Sequence, residues 1–229
     1  MAHPEPKLRA RASILAGGSP LRLALGFIAL LLMMPISIVA LLSGLGLVRL
    51  PYEMLLLAQR APILFPLHMV ASAGALALLA PAIWLRHRPH LHRALGRAVG
   101  VFVVVGGLTA IPVAVLSASG VWARAGFFVQ GLVWLMLLGM GWRAILEKRR
   151  ADHARLMLAM AAVTTGAVWF RLMIGTALYL KLPFEPAYAI AAWVGWLFPL
   201  CAVLLTASRL GPAASRPGSV RQPPSPVPS

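Results

Sequence analysis

Acidic residues are nearly missing from this chain: Asp and Glu number five in 229 residues, against 21 Lys and Arg. None of the five lies in the interior of a long apolar run, and no serine or cysteine is visibly paired with a base and an orienting acid. A hydrolytic enzyme is therefore the least supported class. Cysteine is as scarce. The single Cys201 excludes an intramolecular disulfide and a thiolate metal cluster. Charged residues of both signs make up only 11%, and no stretch is polar enough for a soluble domain. The net charge of +16 thus has no soluble face from which to bind nucleic acid.

What is abundant is apolar sequence: 60% of residues are hydrophobic, and the mean hydropathy is +0.85. This composition belongs to an integral membrane protein. Crossing a hydrocarbon core of about 30 Å takes about 20 residues as helix. Six segments qualify, at 22–48, 62–85, 97–119, 122–145, 154–180 and 185–207, so the expected fold is an all-α transmembrane bundle over 21–208. The first segment follows Lys7, Arg9, Arg11 and Arg22 as a secretory signal would. Its apolar run is too long for one and no small-residue cleavage site follows, so it reads as a retained helix. Residues 1–20, a basic leader, and 209–229, rich in Pro and Ser, are expected to be disordered. Leu50 to Ala61 reads as a short helix lying on the membrane surface.

Basic residues set the orientation. With the N-terminus inside, cytoplasmic segments collect 16 of the 21 Lys and Arg, while Arg49, Arg60, Arg124 and Lys181 fall outside. This positive-inside pattern puts both termini in the cytoplasm. Two basic turns, RHRPHLHRALGR and RAILEKRRADHAR, join segments 2 to 3 and 4 to 5, a weak sign of an internal repeat. Small residues in Ala71 to Ala75, in Gly96-x-x-x-Gly100 and in Gly106-Gly107 predict close packing of segments 2 and 3. Pro112 is expected to bend the third segment.

Arg171 is the remaining cation, and it lies deep in the fifth segment. A guanidinium there costs at least about 2.5–3.5 kcal/mol, so it is expected to face the bundle interior or a wet cavity with a partner. Helical rise puts His68 about 9 Å, Gln130 about 10 Å and Arg171 about 13 Å below the outer face. Ser72 shares a face with His68, and Thr164 shares one with Arg171. Converging, these five side chains would form a polar site in the outer half of the bundle. Plainer readings stay open: Arg171 paired with Glu53 or Glu185, His68 packed against a carbonyl, Gln130 as interhelical glue, and Met157 and Met160 as packing. His153 shares the Arg171 face at the cytoplasmic end. His92 and His153 could pair as axial haem ligands across that end. His87, His90 and His92 are poor metal ligands among arginines, with Pro89 breaking their spacing.

The runs FPLHMVASAGALALLAPAIWLRHRPHLHRALGR, GFFVQGLVWLMLLGMGWRAI and ADHARLMLAMAAVTTGAVWFRL resemble the uncharacterised bacterial membrane family known as domain of unknown function 2306, over about 62–175. The markers are His68, the turn His92-Arg93-x-x-Gly96-Arg97, His153 followed by Met157, and Arg171. The resemblance implies a multi-pass protein of the bacterial inner membrane, with these residues as its signature and segments 1 and 6 outside the shared core. It carries over no activity. Segment 2 has no intramembrane histidine partner of the kind a cytochrome-b561-like haem site would need, which weighs against haem. Three functions remain: a redox-associated protein binding haem or quinone at His68 and Arg171, a proton-linked carrier for an anionic solute, or an accessory subunit with a membrane-protein partner or a second copy of itself.

Overall fold

The computed structural model describes residues 20–209, and within them the side chains of 20–26, 29, 53 and 207–209 are left out. The expectations for the leader and the tail lie outside the described residues, apart from residues 20 and 209, which are helical. The elements in chain order are α1 (Pro20–Gly44), α2 (Tyr52–Arg60), α3 (Leu64–Trp84), a single 3-10 turn (Leu85–His87), α4 (Pro89–Leu116), α5 (Val121–Leu146), α6 (Arg150–Tyr179) and α7 (Phe184–Arg209). No strand occurs among the described residues. Among the residues described with their side chains, five helices, α3 to α7, are long and apolar enough to cross a membrane, and α1 contributes a shorter apolar stretch, Leu30–Gly44.

The helices reach further into the basic turns than hydropathy suggests. Pro89 occupies the first turn of α4, where its missing N–H removes no helical bond, so it starts a helix rather than interrupting one. Likewise α6 begins at Arg150, four residues before the apolar run. Three connections turn through a left-handed residue, Gly46 (φ 73°), Lys148 (φ 61°) and Lys181 (φ 53°). In each the backbone folds back onto the helix just ended: Leu47 N to Leu42 O at 2.8 Å, Arg149 N to Ala144 O at 2.8 Å and Leu182 N to Ala177 O at 2.9 Å. These are Schellman closures, and only the first uses glycine.

Neighbours in sequence pack as neighbours in space: α3 against α4, α4 against α5, α5 against α6 and α6 against α7, with α5 also touching α7 and α1 leaning on α3. The turns α3–α4 and α5–α6 therefore share one end of the bundle, and α4–α5 and α6–α7 share the other. Lipid supplies no hydrophobic drive between helices, so close contact depends on small residues. Ala71, Ala73 and Ala75 are buried on α3. A Cβ on Gly74 would lie 2.8 Å from the Phe102 ring, one on Gly107 would lie 2.6 Å from Leu135, and one on Gly126 would lie 2.9 Å from the Ala192 carbonyl oxygen. Gly96 departs from the expectation. A Cβ there would meet nothing within 4 Å, so the Gly96-x-x-x-Gly100 spacing does not mark a helix contact at its first position. The main core joins Ala75 and Ala82 with Val99, Val103, Trp134, Met160, Val163 and Trp196. A second, smaller core gathers Ala40, Phe65, Met69 and Val113 under α2.

Candidate functional site

Around that second core, at the end of the bundle away from the basic turns, the helices part into a cavity of about 720 Å³. Its mouth is bordered by Ser117 to Gly120 and Phe184 to Pro186, and Met54 and Leu57 of α2 form part of its wall. Its floor includes Leu76, Trp134 and Val163. His68, Ser72, Gln130, Thr164 and Arg171 all line it. Helical spacing brings them there: His68 and Ser72 are one turn apart on α3, Gln130 and Trp134 are one turn apart on α5, and Thr164 and Arg171 are two turns apart on α6.

Each polar group has a definite set of partners. His68 Nδ1 is 2.9 Å from the Gly106 carbonyl oxygen on the neighbouring helix α4, not from a carbonyl one turn back. Thr109 Oγ1 donates to Val105 O at 2.7 Å and reaches Gly106 O at 3.1 Å. Gln130 Nε2 donates to Val163 O at 3.4 Å, a long bond between α5 and α6 that gives the amide an interhelical role. Trp134 Nε1 donates to Thr164 Oγ1 at 2.8 Å, and that hydroxyl donates on to Met160 O at 2.9 Å. Ser72 Oγ is buried with no hydrogen-bond partner among the described residues.

Arg171 is half-buried, and its Nη1 donates to Ala167 O at 2.9 Å, a carbonyl of its own helix. The pairing with Glu185 is not made: Glu185 is exposed at the cavity mouth and forms no ion pair with it. The Glu53 side chain lies outside the described residues. Among those residues, Ala167 O accepts one hydrogen bond from this group of five N–H donors, and the Tyr188 side chain is an electrostatic neighbour of it. Aromatic rings stand beside it. Phe170 packs edge-on to Phe127 at 5.4 Å and to Tyr188 at 5.1 Å, and all three line the cavity.

The signature residues expected at the cytoplasmic face are elsewhere. His92 Nδ1 is 2.9 Å from Ala82 O and His153 Nδ1 is 2.8 Å from Gly141 O, so each ring ties the start of a helix to the end of the one before. His153 and Arg171 share a helix but not a site. Met157 packs against Gly141 and Met160 is buried in the core. Arg93 and Arg97 are exposed. Among the described residues, no three of His, Cys, Asp and Glu gather closely enough to hold a metal ion. On the α5–α6 turn, Arg143 and Arg149 bind Glu147 at 2.7 Å each and Arg149 binds Asp152 at 2.7 Å. Hydrogen bonds from Arg143 and Arg149 hold the Glu147 carboxyl below its ordinary range, but these exposed pairs contribute little to stability.

A family described as predicted membrane protein (DUF2306) matches residues 65–206. The match starts at the head of α3 and runs almost to the end of α7, so the last helix belongs to the shared core rather than outside it. It takes in every polar residue of the cavity. No curated protein and no solved structure matches the chain.

Proposed function

We propose, for a chain that belongs to the DUF2306 family of predicted membrane proteins, that the cavity is a binding site for an isoprenoid-type quinone, and that the protein is redox-associated through that ligand. The observation that carries this reading is Arg171. It lines an apolar and aromatic cavity of about 720 Å³, where it donates to a carbonyl of its own helix, neighbours Tyr188 and makes no ion pair with a carboxylate among the described residues. A half-buried guanidinium in such a cavity, with donors beyond the one that Ala167 takes, suits oxygen acceptors on a ligand. A cavity lined mainly by apolar and aromatic side chains, with a few convergent polar groups, suits a ring head carrying an apolar tail. Haem fits less well. Among the described residues, His68 is the only histidine on the cavity wall, so no second imidazole of that set faces it there.

In this reading the cavity opens toward the outer leaflet of a bacterial inner membrane, with the basic turns and both termini in the cytoplasm. The carrier reading keeps one supporting observation: Arg171 within the cavity would serve as counter-ion to an anionic solute.

The test is to purify the protein gently from a quinone-replete host, extract its lipophilic ligands and quantify quinone per chain. Near-stoichiometric quinone is expected, falling about tenfold or more in Arg171→Ala, since a charge-assisted bond contributes about 1.5–3 kcal/mol. An oxidised and a dithionite-reduced spectrum are recorded alongside. A haem band abolished by His68→Ala would make the protein a cytochrome instead. A colourless, quinone-free preparation would reject both redox readings.

A further inference from the structure

The hydrogen bonding of His68 restricts what can lie against it. A carbonyl oxygen only accepts, so the contact with Gly106 at 2.9 Å puts the ring hydrogen on Nδ1. In the neutral ring Nε2 then bears a lone pair and no hydrogen. No other side chain or carbonyl among the described residues bonds to the ring, which is half-buried on the cavity wall. The site is therefore mixed in character. Arg171 can only donate, His68 Nε2 can only accept, and Ser72, with its buried and unpartnered hydroxyl, can do either.

An oxidised quinone has carbonyl oxygens alone. It can satisfy Arg171 and Ser72, but against Nε2 it sets one lone pair facing another. A quinol hydroxyl donates to Nε2 and still accepts from a neighbouring donor. Sites that hydrogen-bond a ligand hydroxyl reject the analogue lacking it, because a buried polar group is then left unpaired. Resting on the quinone reading above, we infer that the cavity selects the reduced, hydroxyl-bearing quinol over the oxidised quinone, with His68 as the specificity-determining acceptor. The selectivity concerns binding and involves no electron transfer of its own.

The test compares three probes by anaerobic titration calorimetry on the full chain in nanodiscs: decylubiquinone, decylubiquinol, and the dimethyl ether of that quinol. The ether keeps the ring and the oxygens but has no hydroxyl hydrogen. The quinol is expected to bind about five- to tenfold more tightly than either of the others, the effect of one hydrogen bond. In His68→Leu this advantage should vanish. Should that variant fail to fold, the ether comparison on the unaltered protein decides alone. Quinone or ether binding as tightly as quinol would overturn the selectivity while leaving a quinone site standing. Binding of none of the three would reject the quinone site itself, and the selectivity with it.

Discussion

Ser72 carries a hydroxyl oxygen that is buried without a partner among the described residues, one turn from His68 on the wall of the same cavity. An unsatisfied buried group costs about 1–3 kcal/mol, so the empty site is destabilised by this residue. Ser72→Ala should accordingly move two measurements in opposite directions. The thermal midpoint of ligand-free protein should stay level or rise by a few degrees, while the quinol dissociation constant should rise about fivefold, each consistent with about 1 kcal/mol. A lower midpoint with unchanged affinity would mean that the hydroxyl serves the fold alone. His68, Gln130 and Arg171 were visible beforehand because polar residues stand out in apolar runs, and a fixed rise per residue puts them at one depth. Trp134 was not. A tryptophan in an apolar run looks like packing, and only the meeting of α5 with α6 brings its N–H to Thr164 at 2.8 Å. The bond from His68 to Gly106 depends in the same way on the neighbouring helix.

Glycines separate what spacing reveals about an element from what tertiary packing adds. Gly96 and Gly100 have the four-residue interval of a helix-contact motif, yet a Cβ at Gly96 would stand in open space. Gly126, which has no such partner four residues away, would place its Cβ 2.9 Å from a backbone oxygen of Ala192 on α7. A backbone atom cannot swing aside as a side chain can. Gly126→Ala is thus expected to cost about 1–3 kcal/mol of stability by forcing α5 and α7 apart. Gly96→Ala should be neutral or should gain up to about 1 kcal/mol through helix propensity. Thermal melts of the two variants by circular dichroism in one detergent check the contrast, and equal midpoints would refute it. The paired basic turns had suggested a repeat on composition. Their common device is more specific: His92 and His153 are each the fourth residue of a helix, and each is bonded to a carbonyl near the end of the helix before it.

Across the whole molecule, the open question of topology turns on α1. The helices α3 to α7 are five spans by length and composition, and among the residues described with their side chains α1 contributes the shorter apolar stretch Leu30–Gly44. At 1.5 Å per residue that stretch alone falls short of a hydrocarbon core of about 30 Å, while the whole helix, 25 residues from Pro20 to Gly44, is long enough to cross. Parity makes the matter measurable. Six spans place both termini on the side of the basic turns, while five place them on opposite sides. Basic residues favour the former, since Lys7, Arg9 and Arg11 precede α1 and Arg22 lies in its first turn, just as Arg86 and Arg88 lie between α3 and α4 and Arg93 and Arg97 in the opening turns of α4. Because the one native cysteine is exposed on α7, Cys201→Ala supplies a blank background for labelling with a membrane-impermeant maleimide. Lys148→Cys in the α5–α6 turn should react only after permeabilisation, and Lys181→Cys in the α6–α7 turn should react in intact cells. A cysteine placed at the N-terminus should follow Lys148→Cys. If it follows Lys181→Cys instead, α1 does not cross, and it would lean on α3 beside the cavity from the same side of the membrane that the cavity faces.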